Sequence, residues 1–280
     1  MQSYVNLHKE SQECNNVKND PLMAAMAFQQ RWNGLLKHVI RAKKPLGRVL
    51  DVFARVEFQA RGSPHMHIFL WTELGNSLIS SGYEHIIHVI NSTISTTLPS
   101  ENEDPHMQKL VSCFQVHKHS FTCKKGRKTC RFDYPRRTCL KTRLCNDPDV
   151  IIHHRGRFYE TRRTSNDMWV NAYNPVILQH WRANMDKQLV GNAESCAFYI
   201  CKYICKAEPD ELRETLHALF ESSHFQTADF RRRLIMIGTS VLKKRKISAQ
   251  EAMYRLGGLK MYESSRHVLN INTLPKQKKI

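Results

Sequence analysis

The sequence has no run of about 18 consecutive apolar residues, the length needed to span a bilayer. Nor does it offer an obvious basic amphipathic helix that would lie on one. A membrane partner is therefore not expected. The first ten residues, Met1 to Glu10, lack the apolar core of a secretory signal. No internal repeat, low-complexity linker or Gly-x-x-x-x-Gly-Lys-Ser/Thr phosphate loop is found. Acidic residues are scarce, 25 against 43 Lys plus Arg, and the formal net charge is +18. That imbalance points to a polyanion, with nucleic acid the leading partner. Nine cysteines, an odd number without a signal, fit a reducing compartment, with some thiols on metal and the rest buried.

Hydrophobic residues make up 41% of the 280, enough for a packed core in one large domain or two small ones. Residues 55–71 carry the most information. Val56 and Phe58 alternate with Glu57 and Gln59, a turn signal follows at Gly62-Ser63-Pro64, and His65 and His67 then alternate with Met66, Ile68 and Leu70. Two histidines at i, i+2 on a strand point the same way. If the loop is odd in length, Gln59 and Glu57 lie opposite His65 and His67 on that face. Such a set of N and O donors suits Mg²⁺ or Mn²⁺ better than a closed zinc site. The competing reading is a half-buried hairpin whose histidines face solvent.

Elsewhere the order is mixed, which favours an α+β fold. Residues 1–18 read as polar and irregular. Asp20-Pro21 opens a helix that stops before Pro45; Glu84–Ile94 is helical, and Met107 to Phe114 forms a short helix. Val150–Thr161 resembles a hairpin. Asn174-Pro175 opens a helix reaching about Asn184. Ala193–Ala207 and a segment from Pro209 are helical, Ser248 to Glu251 is a capping box for a helix ending at Gly257-Gly258, and His267–Asn272 is a late strand. Lys243 to Lys246 reads as a nuclear address, a phosphate contact or a solvated loop.

In 195–208, Tyr199 and Tyr203 lie at i, i+4, as do Lys202 and Lys206. Phenols flanked by ammonium groups suit attack on a phosphate, because nearby cations favour the phenolate and also bind the backbone. Ordinary core packing of two tyrosines is the alternative. Residues 115–146 are basic and Cys-rich. There His117, His119, Cys123 and Cys130 could close a tetrahedral zinc site, with Cys113, Cys139 and Cys145 as substitutes. The basic loop between Cys123 and Cys130 would face a phosphate backbone through Lys124, Lys125, Arg127, Lys128 and Arg131; incidental thiols in a basic loop are the alternative.

Glu-Phe-Gln-x-Arg-Gly-x-Pro-His-x-His, followed by Tyr-Ile-x-Lys-Tyr-Ile-x-Lys, resembles the Rep nuclease domain of Helitron rolling-circle transposases, which are HUH endonucleases. The resemblance implies an antiparallel central sheet with flanking helices and a Cys/His-rich insert. It divides the chain into 1–112 with the hairpin, 113–146 as the insert, and 147–280 with the tyrosine helix. It implies His65 and His67 as metal ligands with Gln59 or Glu57 as a third. Tyr199 and Tyr203 become nucleophiles beside Lys202 and Lys206, and Arg61 a DNA contact. The activity implied is metal-dependent nicking and strand transfer of single-stranded DNA through a 5′-phosphotyrosine. A water-using metal nuclease and a non-catalytic nucleic-acid-binding remnant are the alternatives. A helicase domain outside this chain is an expected partner. The family's strand ahead of the first helix is expected to be missing, leaving a sheet edge exposed beside the hairpin.

Overall fold

In the computed structural model, residues 2–8, 20–58, 63–77, 82–124, 126, 128–145, 158–191, 217–244 and 248–267 are described. They form helices around an antiparallel five-stranded sheet. Strand β1 is Gln2–His8, β2 Val49–Phe58 and β3 Pro64–Thr72. A two-stranded ladder joins β4, Arg143–Leu144, to β5, Tyr159–Glu160. The main sheet is completed by β6, Met185–Val190, and β7, Tyr262–Ser264, in the order β6-β1-β3-β2-β7.

The first strand corrects the expectation that the chain begins irregularly. Residues 2–8 pair with β3 over seven positions, from Gln2 opposite Trp71 to His8 opposite His65, and with β6 on the other side. The edge expected beside the hairpin is therefore covered. The register sets Val5 and Leu7 opposite Ile68 and Met66, and Asn6 and His8 opposite His67 and His65.

The helices begin where their caps say. Helix α1, Pro21–Gly34, starts after Asp20, whose side chain accepts from Met23 N at 2.9 Å, and runs on as a π-helical stretch, Leu35–Arg41. Helix α2 is Tyr83–Thr93 and α3 is Pro105–Phe114, capped by Asp104. Helix α4, Pro175–Trp181, is capped by Asn174. It ends three residues earlier than expected, where Arg182 turns left-handed at φ 50°, and the chain enters β6. Lys187 hid that strand, because a lysine interrupts the apolar alternation of Met185 and Leu189. Helix α5 is Phe230–Lys244, and α6, Ala249–Leu256, begins after Ser248 and ends at Gly257.

One sheet face supplies Val52, Ala54, Val56, Met66, Ile68, Leu70 and Met185 to the core. Phe28, Trp32, Leu35 and Ile40 of the first helix, Trp181 of α4 and Tyr254 of α6 pack into the same core. At roughly 1.5–3 kcal/mol for each fully buried large side chain, this layer is the main force holding the hairpin flat. A smaller cluster joins Val89, Ile90 and Ile94 to Tyr159 and Leu189. Most of the hairpin expected at 150–161 falls outside the described residues; within it, β5 pairs with β4, which precedes the expected first arm. The late strand expected at His267–Asn272 lies, apart from His267, outside the described residues; the short strand β7 precedes it. The helix expected at 193–207 and most of the one from Pro209 fall outside the described residues.

Candidate active site and metal cluster

The β2–β3 register sets the first site. Phe58 pairs with Pro64, Glu57 with His65 and Arg55 with His67, so the connecting loop is odd in length, as expected. The expected opposition of Gln59 to His65 and of Glu57 to His67 is displaced by two residues: Glu57 pairs with His65, and Arg55 with His67. Gln59 and Arg61 lie outside the described residues. His65 and His67 do share a face, with ring centroids 4.4 Å apart, and both are buried, at 4% and 2% exposure. Solvent-facing histidines are thereby ruled out. Glu57 reaches diagonally, and its Oε2 lies 2.9 Å from His67 Nε2. Two imidazoles and a carboxylate on one strand pair are N and O donors, but among the described residues only the Cys/His group below gathers its ligand atoms as a metal ion would need.

The sheet extends this face beyond what sequence reasoning found. Across β3 the register places Asn6 beside His67 and His8 beside His65, and Asp186 follows beside Asn6. Asp186 Oδ2 accepts from Gln188 Nε2 at 3.0 Å, while its Oδ1 is enclosed with no hydrogen-bond partner among the described residues. A lone carboxylate in a missed strand gives no local signal. Tyr199, Lys202, Tyr203 and Lys206 all lie outside the described residues.

The second site follows α3. Val116 bridges to Val170, and His117 N donates to Trp169 O at 2.8 Å, which pins the start of the basic segment. A helical turn, Phe121–Lys124, then brings Cys123 back toward His119, and Arg131 N donates to Cys123 O at 3.0 Å, closing the loop to Cys130. The ligand atoms of His117, His119, Cys123 and Cys130 all lie within 4.8 Å of one another. Cys130 Sγ is 3.4 Å from His117 Nε2, and Cys123 Sγ is 3.5 Å from His119 Nδ1. The Cys123 thiol is held below its ordinary pKa, first by the backbone hydrogen bond from Ser120. Burial lowers that of His117. Thiolate and neutral imidazole are the metal-ready forms, so these four side chains could hold a metal ion. Cys113, Cys139 and Cys145 are not brought into the cluster; the Cys139 thiol instead donates to Lys141 O at 2.9 Å.

Of the expected backbone contacts, Lys128 and Arg131 are exposed, and Lys124 is partly buried. The Arg131 guanidinium lies 4.5 Å from the centre of the Phe132 ring. Lys125 and Arg127 lie outside the described residues. Lys243 and Lys244 close α5, and the rest of that basic run is outside as well. Among the described residues no helix is long and apolar enough to cross a membrane.

Residues 2–70 match the family model of the Helitron helicase-like domain at the N-terminus. No curated protein matches the chain.

Proposed function

We propose that this chain, whose residues 2–70 are a Helitron-like N-terminal domain, nicks and rejoins single-stranded DNA through a covalent protein–DNA intermediate. The observation that carries the reading is the buried His65–His67 pair with Glu57 Oε2 2.9 Å from His67 Nε2, inside the segment the family covers. A divalent cation on these donors, Mg²⁺ or Mn²⁺ by their chemistry, would polarise the scissile phosphate. The buried imidazoles fix the donor geometry before DNA arrives, and Glu57 orients His67. The phenolate of Tyr199 or Tyr203 attacks phosphorus and the P–O3′ bond breaks. The 3′ oxygen leaves and takes up a proton, and the 5′ phosphate remains esterified to tyrosine. Lys202 and Lys206 stabilise the phenolate and the phosphate charge. The Cys/His cluster holds structural Zn²⁺, since two thiolates and two imidazoles in a closed set match that ion best. The HUH-type arrangement of the fold belongs to the same proposal, supported by the antiparallel sheet with the histidine strand at its centre.

The test uses 5′-labelled and 3′-labelled single-stranded oligonucleotides with Mn²⁺ on a denaturing gel. Transfer of the 3′ label to protein mass, abolished by Tyr199→Phe with Tyr203→Phe, is the expected result. Cleavage without transfer would assign the attack to water, and binding without cleavage would make the chain a non-catalytic binder.

A further inference from the structure

A cleft of about 950 Å³ lies against the Cys/His cluster, and His119 and Cys130 of that cluster are part of its wall. Lys128, Arg136 and Arg137 also line it. A second cleft, of about 1090 Å³, adjoins it across Cys139 and Thr161 and carries Lys141 and Arg162. The two meet where Cys139 and Arg163 exchange backbone hydrogen bonds of 2.9 and 2.7 Å. Lys128, Arg137, Lys141 and Arg162 are exposed. The acids along the path are Asp133, Glu160 and Glu84. Of these, Glu160 is already held by Arg143, whose Nε donates at 2.7 Å, and Asp133 lies 3.9 Å from Arg136. The groove therefore has surplus positive charge, and the two adjoining clefts together enclose more space than one small ligand needs.

The wall is built outward from the cluster. Tyr134 stacks on His117 with ring centroids 4.3 Å apart, and the Arg136 guanidinium lies 5.0 Å from the Tyr134 ring centre. A ligand side chain thus supports an aromatic ring, and the ring supports a cation. We infer that this double cleft is a second nucleic-acid site, separate from the histidine hairpin, which tracks the phosphodiester backbone of single-stranded DNA leading to or from the cleavage point. The choice of single-stranded DNA as the polyanion rests on the proposed nicking activity; the backbone chemistry does not. Exposed Lys and Arg along a groove are the electrostatic track that single-strand binders use.

The experiment is fluorescence anisotropy with a labelled single-stranded oligonucleotide on the full chain at several salt concentrations. The proteins compared are wild type, Lys128→Ser with Arg137→Ser, Lys141→Ser with Arg162→Ser, and a charge-matched control away from both sites, Lys37→Ser with Arg41→Ser, two exposed positions. Each groove pair should weaken binding about tenfold near 0.1 M salt. It should also make the slope of log K against log salt less negative by about 1.4, at roughly 0.7 for each single-strand phosphate that the variant no longer neutralises. The charge-matched control should keep both affinity and slope. Affinity within twofold and an unchanged slope in both groove pairs would overturn the site. If wild type forms no covalent adduct yet the groove pairs weaken binding and flatten the slope, the nicking proposal fails and the groove stands.

Discussion

Glu57 faces His65 across the ladder but places its Oε2 2.9 Å from Nε2 of His67, the next histidine along. One carboxylate therefore spans both imidazole positions. Glu57→Ala should leave the fold intact, because its side chain is 25% exposed, while lowering Mn²⁺ affinity by about 10- to 100-fold, as for groups that bind or orient a metal ligand. Titration calorimetry reads this directly, and an unchanged affinity would remove Glu57 from the site.

The Cys/His cluster should couple metal to stability. Zinc at about a thousand times its Kd contributes about 4 kcal/mol, which for a chain of this size is roughly 10 °C in Tm. Chelation should lower the melting temperature by that order and added Zn²⁺ should restore it. Cys130→Ser should abolish the response. A melting curve indifferent to chelator would mean the four side chains hold no structural ion.

Lys187 is fully buried on the core side of β6, with Nζ 3.3 Å from Thr93 Oγ1. Burial pushes its pKa down from 10.5 to about 7. The unfolded chain thus holds the extra proton between about pH 7 and 10.5, so this residue makes stability rise with pH across that window and gives no slope below it. Lys187→Met should remove the slope and stabilise the protein at neutral pH by about 2–4 kcal/mol. Denaturant midpoints at pH 7 and 9 measure both effects, and parallel changes in the two proteins would show that Lys187 does not titrate this way.

Val5 stands between Ile68 on β3 and Lys187 on β6. Proline in an interior strand removes a ladder hydrogen bond and is tolerated only at edges or bulges. Val5→Pro should therefore cost about 3 kcal/mol or more and favour aggregation through the uncovered side of β3. Chemical denaturation with light scattering checks it; wild-type behaviour would mean that β1 is not interior.

Much of this was legible locally. Asp20, Asn174 and Ser248 announced their helices because a cap is a contact between residues three apart: their side-chain oxygens accept from Met23 N at 2.9 Å, Ile177 N at 3.1 Å and Glu251 N at 3.1 Å. The shared face of His65 and His67 followed from the period of two. His117, His119, Cys123 and Cys130 were close enough in sequence to be taken as one ligand set.

Tertiary structure alone decided which strands flank the histidines. β1 pairs with β6 across most of the chain, and such pairing leaves no trace in the local pattern of either segment. Each instead showed a polar interruption, Asn6 and His8 in one and Lys187 in the other. In the folded sheet Asn6 and His8 pair with His67 and His65, and Lys187 is fully buried. The same holds for Glu57, which loop length set opposite His67 but which the ladder pairs with His65, so that its contact with His67 is a diagonal reach of the side chain. It holds for the paired clefts too, where residues between Lys128 and Arg162 meet only because Cys139 bridges to Arg163. Local sequence determined the chemistry each segment could offer. The long-range pairings, driven by burial of the apolar sheet face, determined which of those groups meet.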